Sequence, residues 1–443
     1  MNTAIGIVLV LGVIILVHEW GHFIIARLFK VRVDVFSIGF GPRLFGFKWG
    51  ETDWRISAVP LGGYVRMAGQ DLSDIDAGEE KPTGAPDELM SKPRWQRALI
   101  TAAGPAVNLL FPIVLLGGYY LVAGVPYAAF LNGPIVVAES PATQTATENS
   151  LKTGDRVLSV NGLKNPTWEQ VQSLLSRVAP GATLNVQVEN NGVARNVDLP
   201  LTNDNASRPF GYYPIPPRIS EVAPDTPASH AGLRPGDTVV AIDGQKIGYW
   251  DQFVELVRGS GGKTLQLEVS RNGQTLTLPV TPKQGLADKA DTKYQIGVAP
   301  EPSLAYKRVS LSVAANEASG RTYEVVEDTL GVFGKLLSGR VSVKQLQSVV
   351  GISRAAGEAV SQGAYTVITL MVLISVNLGI LNLLPIPILD GGNILLLALE
   401  GIRRRDFSLA FKERFIQVGL VFLLVLFAYV MYNDVVRLLP SHS

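Results

Sequence analysis

Leu16-Val17-His18-Glu19-Trp20-Gly21-His22-Phe23 is the stretch on which the reading of this chain turns. Its flanks, Ile5 to Val17 and Phe23 to Phe29, are apolar enough for the whole to cross a membrane, and ionisable side chains at that depth are costly unless something compensates them. On a helix, residues four apart share a face, so His18 and His22 can hold one Zn2+ while Glu19 reaches a metal-bound water. Of the four histidines, His18, His22, His230 and His442, two fall at this unfavourable place. Met1-Asn2-Thr3 has no basic n-region and no small-residue cleavage pattern follows, so the segment is expected to be retained rather than removed as a signal peptide.

Outward from this stretch, the 443 residues are 47% hydrophobic, which points to an integral membrane protein with room for several domains. A net charge of +1 gives no ground for a nucleic-acid partner. The absence of cysteine excludes disulfides, iron-sulfur clusters and a thiol nucleophile, and leaves any zinc to histidine and carboxylate ligands. Four segments are long and apolar enough to span, about 4 to 29, 98 to 123, 364 to 384 and 414 to 432. Ten Lys and Arg residues, from Lys30 to Arg97, lie in the first linker, whereas none occurs from Ala98 to Leu151. A second basic cluster, Arg403, Arg404, Arg405, Lys412 and Arg414, separates spans three and four. The positive-inside rule therefore places both linkers in the cytoplasm, and both termini and the region from about 125 to 362 outside it.

That outer region repeats itself. Pro224 to Asp237, containing Ala231-Gly232-Leu233-Arg234-Pro235-Gly236-Asp237, precedes Val239-Val240-Ala241-Ile242-Asp243-Gly244; about 82 residues earlier, Leu151-Lys152-Thr153-Gly154-Asp155 precedes Val157-Leu158-Ser159-Val160-Asn161-Gly162. Each copy continues with a helix (Trp168 to Val178, Trp250 to Arg258) and a hairpin about Asn190-Asn191-Gly192 or Arg271-Asn272-Gly273. The second copy resembles a PDZ domain in its Ala-Gly-Leu-x-x-Gly-Asp run; the first lacks Ala-Gly-Leu. Such domains add an extended peptide, often a C-terminus, to a sheet edge, and Ile135 to Ala138 and Ile219 to Val222 are the candidate edges. His230 reads as a solvated helix residue and His442 as part of a frayed tail. Thr322 to Leu337 and Val343 to Val360 read as amphipathic helices on the outer surface, and Leu395 to Ile402 is too short to span.

A third zinc ligand must come from elsewhere. In Asn382-Leu383-Leu384-Pro385-Ile386-Pro387-Ile388-Leu389-Asp390-Gly391-Gly392 the two prolines cannot continue a helix, so span three ends here and the backbone can turn Asp390 inward. His18 lies in the cytoplasmic half of span one and Asp390 at the cytoplasmic end of span three, so both occupy one leaflet. Glu400 is the competing ligand, less attractive because its neighbours Arg403 to Arg405 suggest a solvated face. The first cytoplasmic linker has the alternation and glycines of hairpins that dip to the membrane, in Phe36-Ser37-Ile38-Gly39-Phe40-Gly41-Pro42 and in Trp54 to Val65 with Gly62 and Gly63.

HExxH in span one together with Asn-x-x-Pro-x-Pro-x-Leu-Asp-Gly near span three resembles the site-2 protease family of intramembrane metalloproteases, and the likeness covers almost the whole length. It implies one Zn2+ per chain on His18, His22 and Asp390, Glu19 as the catalytic residue, and Asn382 in contact with substrate. It further implies that the hairpin bearing Gly39, Gly41, Gly62 and Gly63 pairs with substrate. Gly104-Pro105-Ala106-Val107-Asn108 resembles the family's small-x-x-x-Asn motif, so that Asn108 could hydrogen-bond to the catalytic core. Asn393 departs from the family pattern, where His is expected, without touching the ligand set.

The expected architecture is a polytopic α-helical membrane protein of four spans with a membrane-associated β-hairpin region and two extracytoplasmic PDZ-like α+β domains. Its expected segments are 1–124 (spans one and two with the β-loop), 127–215 and 216–300 (PDZ-like), 301–362 (membrane-surface amphipathic segment) and 363–443 (spans three and four). The expected activity is that of a zinc metalloendopeptidase in the bacterial inner membrane. It cleaves transmembrane segments of single-span proteins, such as an anti-sigma factor, after another protease has trimmed them. The lipid bilayer and peptide C-termini at the PDZ-like domains are the other expected partners. A zinc-binding PDZ scaffold without hydrolysis and a metal transporter are the alternatives, to be told apart by Glu19→Gln and by metal flux.

Overall fold

The computed structural model describes residues 6, 8–70, 83–138, 150–179, 181–202, 208–286, 288–341 and 349–438. Val343, the expected start of the second surface helix, and His442 lie outside them. The chain forms two compact units, 126–307 and the remainder, each considered by itself.

In the first unit, a π-helical turn (Val8–Gly12) leads into helix α1 (Val13–Leu28). Two long strands follow, β1 (Val33–Trp49) and β2 (Thr52–Met67). Their pairing is double. Val35 is opposite both Arg66 and Asp53, so the first half of β1 runs between the two halves of β2, and the second half of β1 turns back on the first half of β2. Gly39, at φ +91°, allows the bend, because a Cβ there would meet the carbonyl oxygens of Ser57 and Val59 at 2.9 Å. The second half of β2 is left at an edge of this arrangement. Phe36 stacks on Trp54 and edges onto Phe23, which anchors the sheet to α1.

Helices α2 (Arg94–Ala123), α3 (Leu311–Leu337), α4 (Val349–Gln362), α5 (Ala364–Leu383), α6 (Asp390–Arg403) and α7 (Leu409–Leu438) complete the unit. Among the described residues four helices are long and apolar enough to cross a membrane: Leu9–Leu28, Arg94–Ala123, Ala364–Leu383 and Ala410–Tyr432. Gly21 and Gly104 bring α1 and α2 together, since a Cβ at Gly21 would lie 2.6 Å from the Ala103 carbonyl oxygen. α3 begins earlier than the sequence suggests and packs lengthwise on α2 and α5 through Ala314, Ala318, Thr322, Val325 and Thr329.

One correction to the sequence reading falls here. Glu400 is not on a solvated face: it is wholly buried, accepts from the Phe407 N–H at 3.0 Å and pairs with Lys412 Nζ at 3.2 Å, which ties α6 to α7. Ile219–Val222 pairs on one side with Val298–Pro300 as a two-stranded sheet and so remains a sheet edge, and Val136 bridges to Arg156.

The 126–307 unit contains two four-stranded antiparallel sheets of identical order. The first runs Leu163–Lys164, Arg156–Val160, Thr183–Asn190, Val193–Pro200; the second runs Gln245–Lys246, Thr238–Ile242, Leu265–Arg271, Gln274–Val280. Their hairpins turn through Asn191-Gly192 and Asn272-Gly273, with positive φ at all four residues as a type I′ turn requires. Each sheet closes over its own core, around Trp168 and Leu184 in one and Phe253 and Leu267 in the other. The aspartate of each Gly-Asp pair is a buried anchor. Asp237 accepts from Arg271 Nε and Nη2, both at 2.7 Å, and from the Arg234 N–H at 2.8 Å; Asp155 is held likewise by Arg195, Asn190 and the Lys152 N–H. His230 is exposed and pairs with Asp225.

Candidate metal centre and active site

The periodicity of α1 puts His18 and His22 on one buried face, turned to α2. Asp390 arrives from the Pro385-Ile386-Pro387 turn. Neither proline can donate a backbone hydrogen bond, so α5 stops at Leu383 and the chain re-enters a helix at Asp390. Ile388 adopts φ +77°, a strained conformation for a β-branched residue. Gly391 and Gly392 lie against the carbonyls of residues 383, 384 and 386, where a side chain would not fit.

The three donor atoms converge. His18 Nε2 and His22 Nε2 are 3.3 Å apart, and Asp390 Oδ2 lies 3.4 Å from the first and 3.6 Å from the second. Ligands at 2.0–2.1 Å from a tetrahedral zinc stand roughly 3.3 Å from one another, so the trio fits three corners of one zinc site and leaves the fourth open. The far side of each ring is also held. His22 Nδ1 donates to the Ile100 carbonyl at 2.9 Å, which leaves Nε2 with its lone pair free for metal. Asn108 Nδ2 is 3.2 Å from His18 Nδ1; the amide turned over, which also gives its otherwise unpartnered oxygen a donor, accepts from Nδ1–H and does the same for His18.

Asn108 is itself fixed by a proline. Pro112 has no N–H, so the Asn108 carbonyl loses its helical partner and accepts instead from Ser375 Oγ of α5 at 2.8 Å. Ser375 and the Ile100 carbonyl were not singled out by sequence; Pro112, mid-span and four residues after Asn108, was the available signal.

Glu19 lies off the ligand face, with its Cγ beside Gly63 of β2, where a Cβ would be 3.0 Å away. Gly62 lies against the Phe40 ring. Asn382 Nδ2 reaches within 3.3 Å of His18 Nε2. Thus His18, His22, Asp390, Glu19, Asn108, Asn382 and Gly63 share one place, Gly62 adjoins it, and Gly39 shapes the neighbouring strand. Gly41, at φ +83°, has the Val59 side chain 4.0 Å from where a Cβ would stand and is not near the cluster's side chains there. Glu400 is outside the cluster, about 15 Å along α6 from Asp390 at 1.5 Å per residue.

Two buried histidines and a partly buried aspartate with a second carboxylate beside them, set among helices long and apolar enough to span a membrane, define an intramembrane metallopeptidase. The model of peptidase family M50 matches residues 6–426, and the chain belongs to that family: it is a zinc metalloprotease of the site-2 type. It is 35% identical to the regulator of sigma-E protease RseP of Escherichia coli (strain K12), over 97% of this chain and 98% of that protein. It is 31% identical to a protein of Neisseria meningitidis serogroup A named as a zinc metalloprotease, NMA0084, over 99% and 100% of the two chains. Among solved structures, the PDZ domain of the SdrC-like protein from Listeria monocytogenes matches 19% of this chain and 84% of its own, at 20% identity and a TM-score of 0.17.

Proposed function

We propose that this protein cuts peptide bonds within the membrane-spanning segments of single-span proteins, using one zinc ion held by His18, His22 and Asp390 and Glu19 as general base. The observation that carries this is the spacing of the three donor atoms, 3.3 to 3.6 Å, with both rings fixed from behind and Glu19 alongside but outside the set. Zinc, when bound, polarises the scissile carbonyl and makes the attacking water more acidic. Glu19 takes the proton from that water and delivers it to the leaving nitrogen. The Asn382 amide, next to His18 Nε2, donates to the substrate carbonyl as negative charge develops on its oxygen.

A helical substrate must first unwind, and its freed backbone groups need partners where water is scarce. The edge strand Gly62–Val65 offers them. Gly62 makes room for the Phe40 ring and Gly63 for Glu19, which sets that edge beside the catalytic carboxylate, where an extended substrate can add as a further strand. Gly39 and Gly41 keep the adjoining strand bent enough to hold this edge in place.

The Lys and Arg distribution supports an inner-membrane protein with both termini and the 126–307 unit outside the cytoplasm, and a site in the cytoplasmic half of the bilayer. The two repeated modules, 127–215 and 216–300, then act as the filter that admits substrates only after their outer domains are removed, and present grooves for new C-termini. The name of the Escherichia coli relative, a regulator of sigma-E protease, makes an anti-sigma factor the first substrate to test. The decisive experiment is mass spectrometry of membrane fragments from cells with the parent enzyme and with Glu19→Gln. A fragment ending inside a transmembrane segment and absent from the variant is expected; no such fragment would overturn the reading.

A further inference from the structure

Helix α3 sits deeper than its composition suggests. Tyr119 of α2 and Tyr365 of α5 stack with ring centroids 5.8 Å apart, which sets those two helices at a common level. Asn377 lies about 18 Å further along α5 at 1.5 Å per residue, which is the level of Val107 and Asn108 on the antiparallel α2. Thr329 of α3 donates to Asn377 Oδ1 at 2.9 Å. A second path agrees: a Cβ at Gly117 of α2 would contact the Ala318 methyl at 3.9 Å, and Thr329 is about 16 Å beyond Ala318 along α3. Thr329 is therefore level with Asn108, whose amide touches His18.

At this depth α3 has two unlike flanks on either side of its buried seam. Glu317, Arg321, Glu324 and Asp328, spaced four, three and four apart, form one exposed charged ridge, with Arg321 paired to Glu324 at 2.7 Å, and the exposed Glu327 widens it toward the face opposite the seam. Tyr323, Leu330 and Leu337, seven apart, form an exposed apolar stripe on the other side. A charged ridge facing lipid at mid-membrane is costly, whereas an apolar stripe is at home there.

We propose that the ridge lines a water-filled crevice, which descends from the side of the membrane bearing residues 126–307 to the level of the metal site, while the Tyr323 to Leu337 stripe faces lipid. Such a crevice delivers the water that hydrolysis consumes. The inference rests on the depth and two-sidedness of α3 and not on the hydrolytic reading, so a chain that failed to cleave would still show it.

The chain contains no cysteine, so single substitutions report cleanly. Glu324→Cys, Asp328→Cys, Leu330→Cys and Leu337→Cys are placed in the full-length protein in sealed vesicles. A charged, membrane-impermeant maleimide is added on the side carrying residues 126–307, with Gly192→Cys as the exposed reference and labelling after detergent denaturation as the measure of total thiol. Glu324→Cys and Asp328→Cys should label within about tenfold of the reference, and Leu330→Cys and Leu337→Cys at least about a hundredfold slower, because thiolate attack needs water. Asp328→Cys as slow as Leu330→Cys would show a dry ridge. All four fast would show a helix lying in water at the surface. Either result overturns the proposal.

Discussion

Gly104→Ala tests the site through a single methyl group. A Cβ at this position would lie 2.7 Å from His22 Cε1 and 2.8 Å from His18 Cε1, and inside contact distance of His22 Nε2. Carbon atoms in contact prefer about 3.5–4.0 Å, so both rings would have to retreat by about 1 Å. Metal-ligand distances tolerate only about 0.2 Å, so the rings cannot both retreat and keep one ion between them. Separation of α1 from α2 is no remedy, because it draws His22 from the Ile100 carbonyl and His18 from Asn108. Zinc per chain, by elemental analysis of purified protein, should fall well below one, and turnover of a transmembrane peptide should fall by at least about 10²-fold, the usual consequence of a 1 Å misplacement. Gly118→Ala, on the same helix with open space around it, is the control and should keep both. Full zinc occupancy with turnover near that of the parent in Gly104→Ala would refute the close approach on which the site geometry depends.

Glu19→Gln should retain zinc while turnover drops by about 10²- to 10⁴-fold, since the amide cannot accept the proton; Asp390→Asn should lose zinc as well as activity, and both are read by zinc content and cleavage rate in one detergent. In the second repeated module, burial pushes the Asp237 carboxyl up, but the hydrogen bonds from Arg271 and the Arg234 N–H outweigh it and hold its pKa below the usual value. A lowered folded pKa contributes stability above the unfolded value of about 3.9 that is lost as pH falls through the folded one. Arg271→Leu should therefore destabilise the module by about 3 kcal/mol at neutral pH, with the gap to the parent narrowing in acid, as measured by hydrogen exchange of strands 238–242 and 265–271 in the full chain. A gap independent of pH would refute the pairing. A reporter at Ala85 should be cytoplasmic and one at Gly192 external; the reverse would invert the sidedness argument. Replacing 130–300 by a short linker should leave zinc and cleavage of trimmed substrate intact and permit cleavage of untrimmed substrate, whereas loss of the first would show that these modules deliver substrate rather than exclude it.

The metal trio was legible because its chemistry is written in residue type and spacing: two histidines four apart, and an aspartate directly after a turn that prolines enforce. The repeats were legible for a similar reason, since Asn-Gly turns and Gly-Asp pairs are local signals. What the sequence concealed depends on distant partners. Glu400 beside three arginines reads as solvated, and only Lys412 from the next helix explains its burial. The double pairing of β1 depends on register shifts between Val35 and Arg43 that no local pattern announces. The Asp155 and Asp237 anchors needed Arg195 and Arg271, more than thirty residues away, before their role could be seen. For α3, averaging over a window hides what matters: a charged ridge cancels an apolar stripe in any mean, yet the two point in different directions.

The same averaging hides how Asn108 comes to hold His18. Pro112 would ordinarily count against a long helix, but α2 runs unbroken from Arg94 to Ala123, and the proline's effect is confined to one carbonyl four residues before it. That carbonyl belongs to Asn108, and Ser375 supplies its missing hydrogen bond from α5. The helix that presents the amide to His18 is thereby pinned to the helix that ends in Asn382 and the Pro385-Ile386-Pro387 turn before Asp390. Two of the three donor atoms are thus registered to each other through a backbone group with no part in the chemistry. A rigid link of this kind suits a site whose ligands come from separate helices, because in lipid no general hydrophobic force holds helices in register and specific hydrogen bonds and close packing must do so.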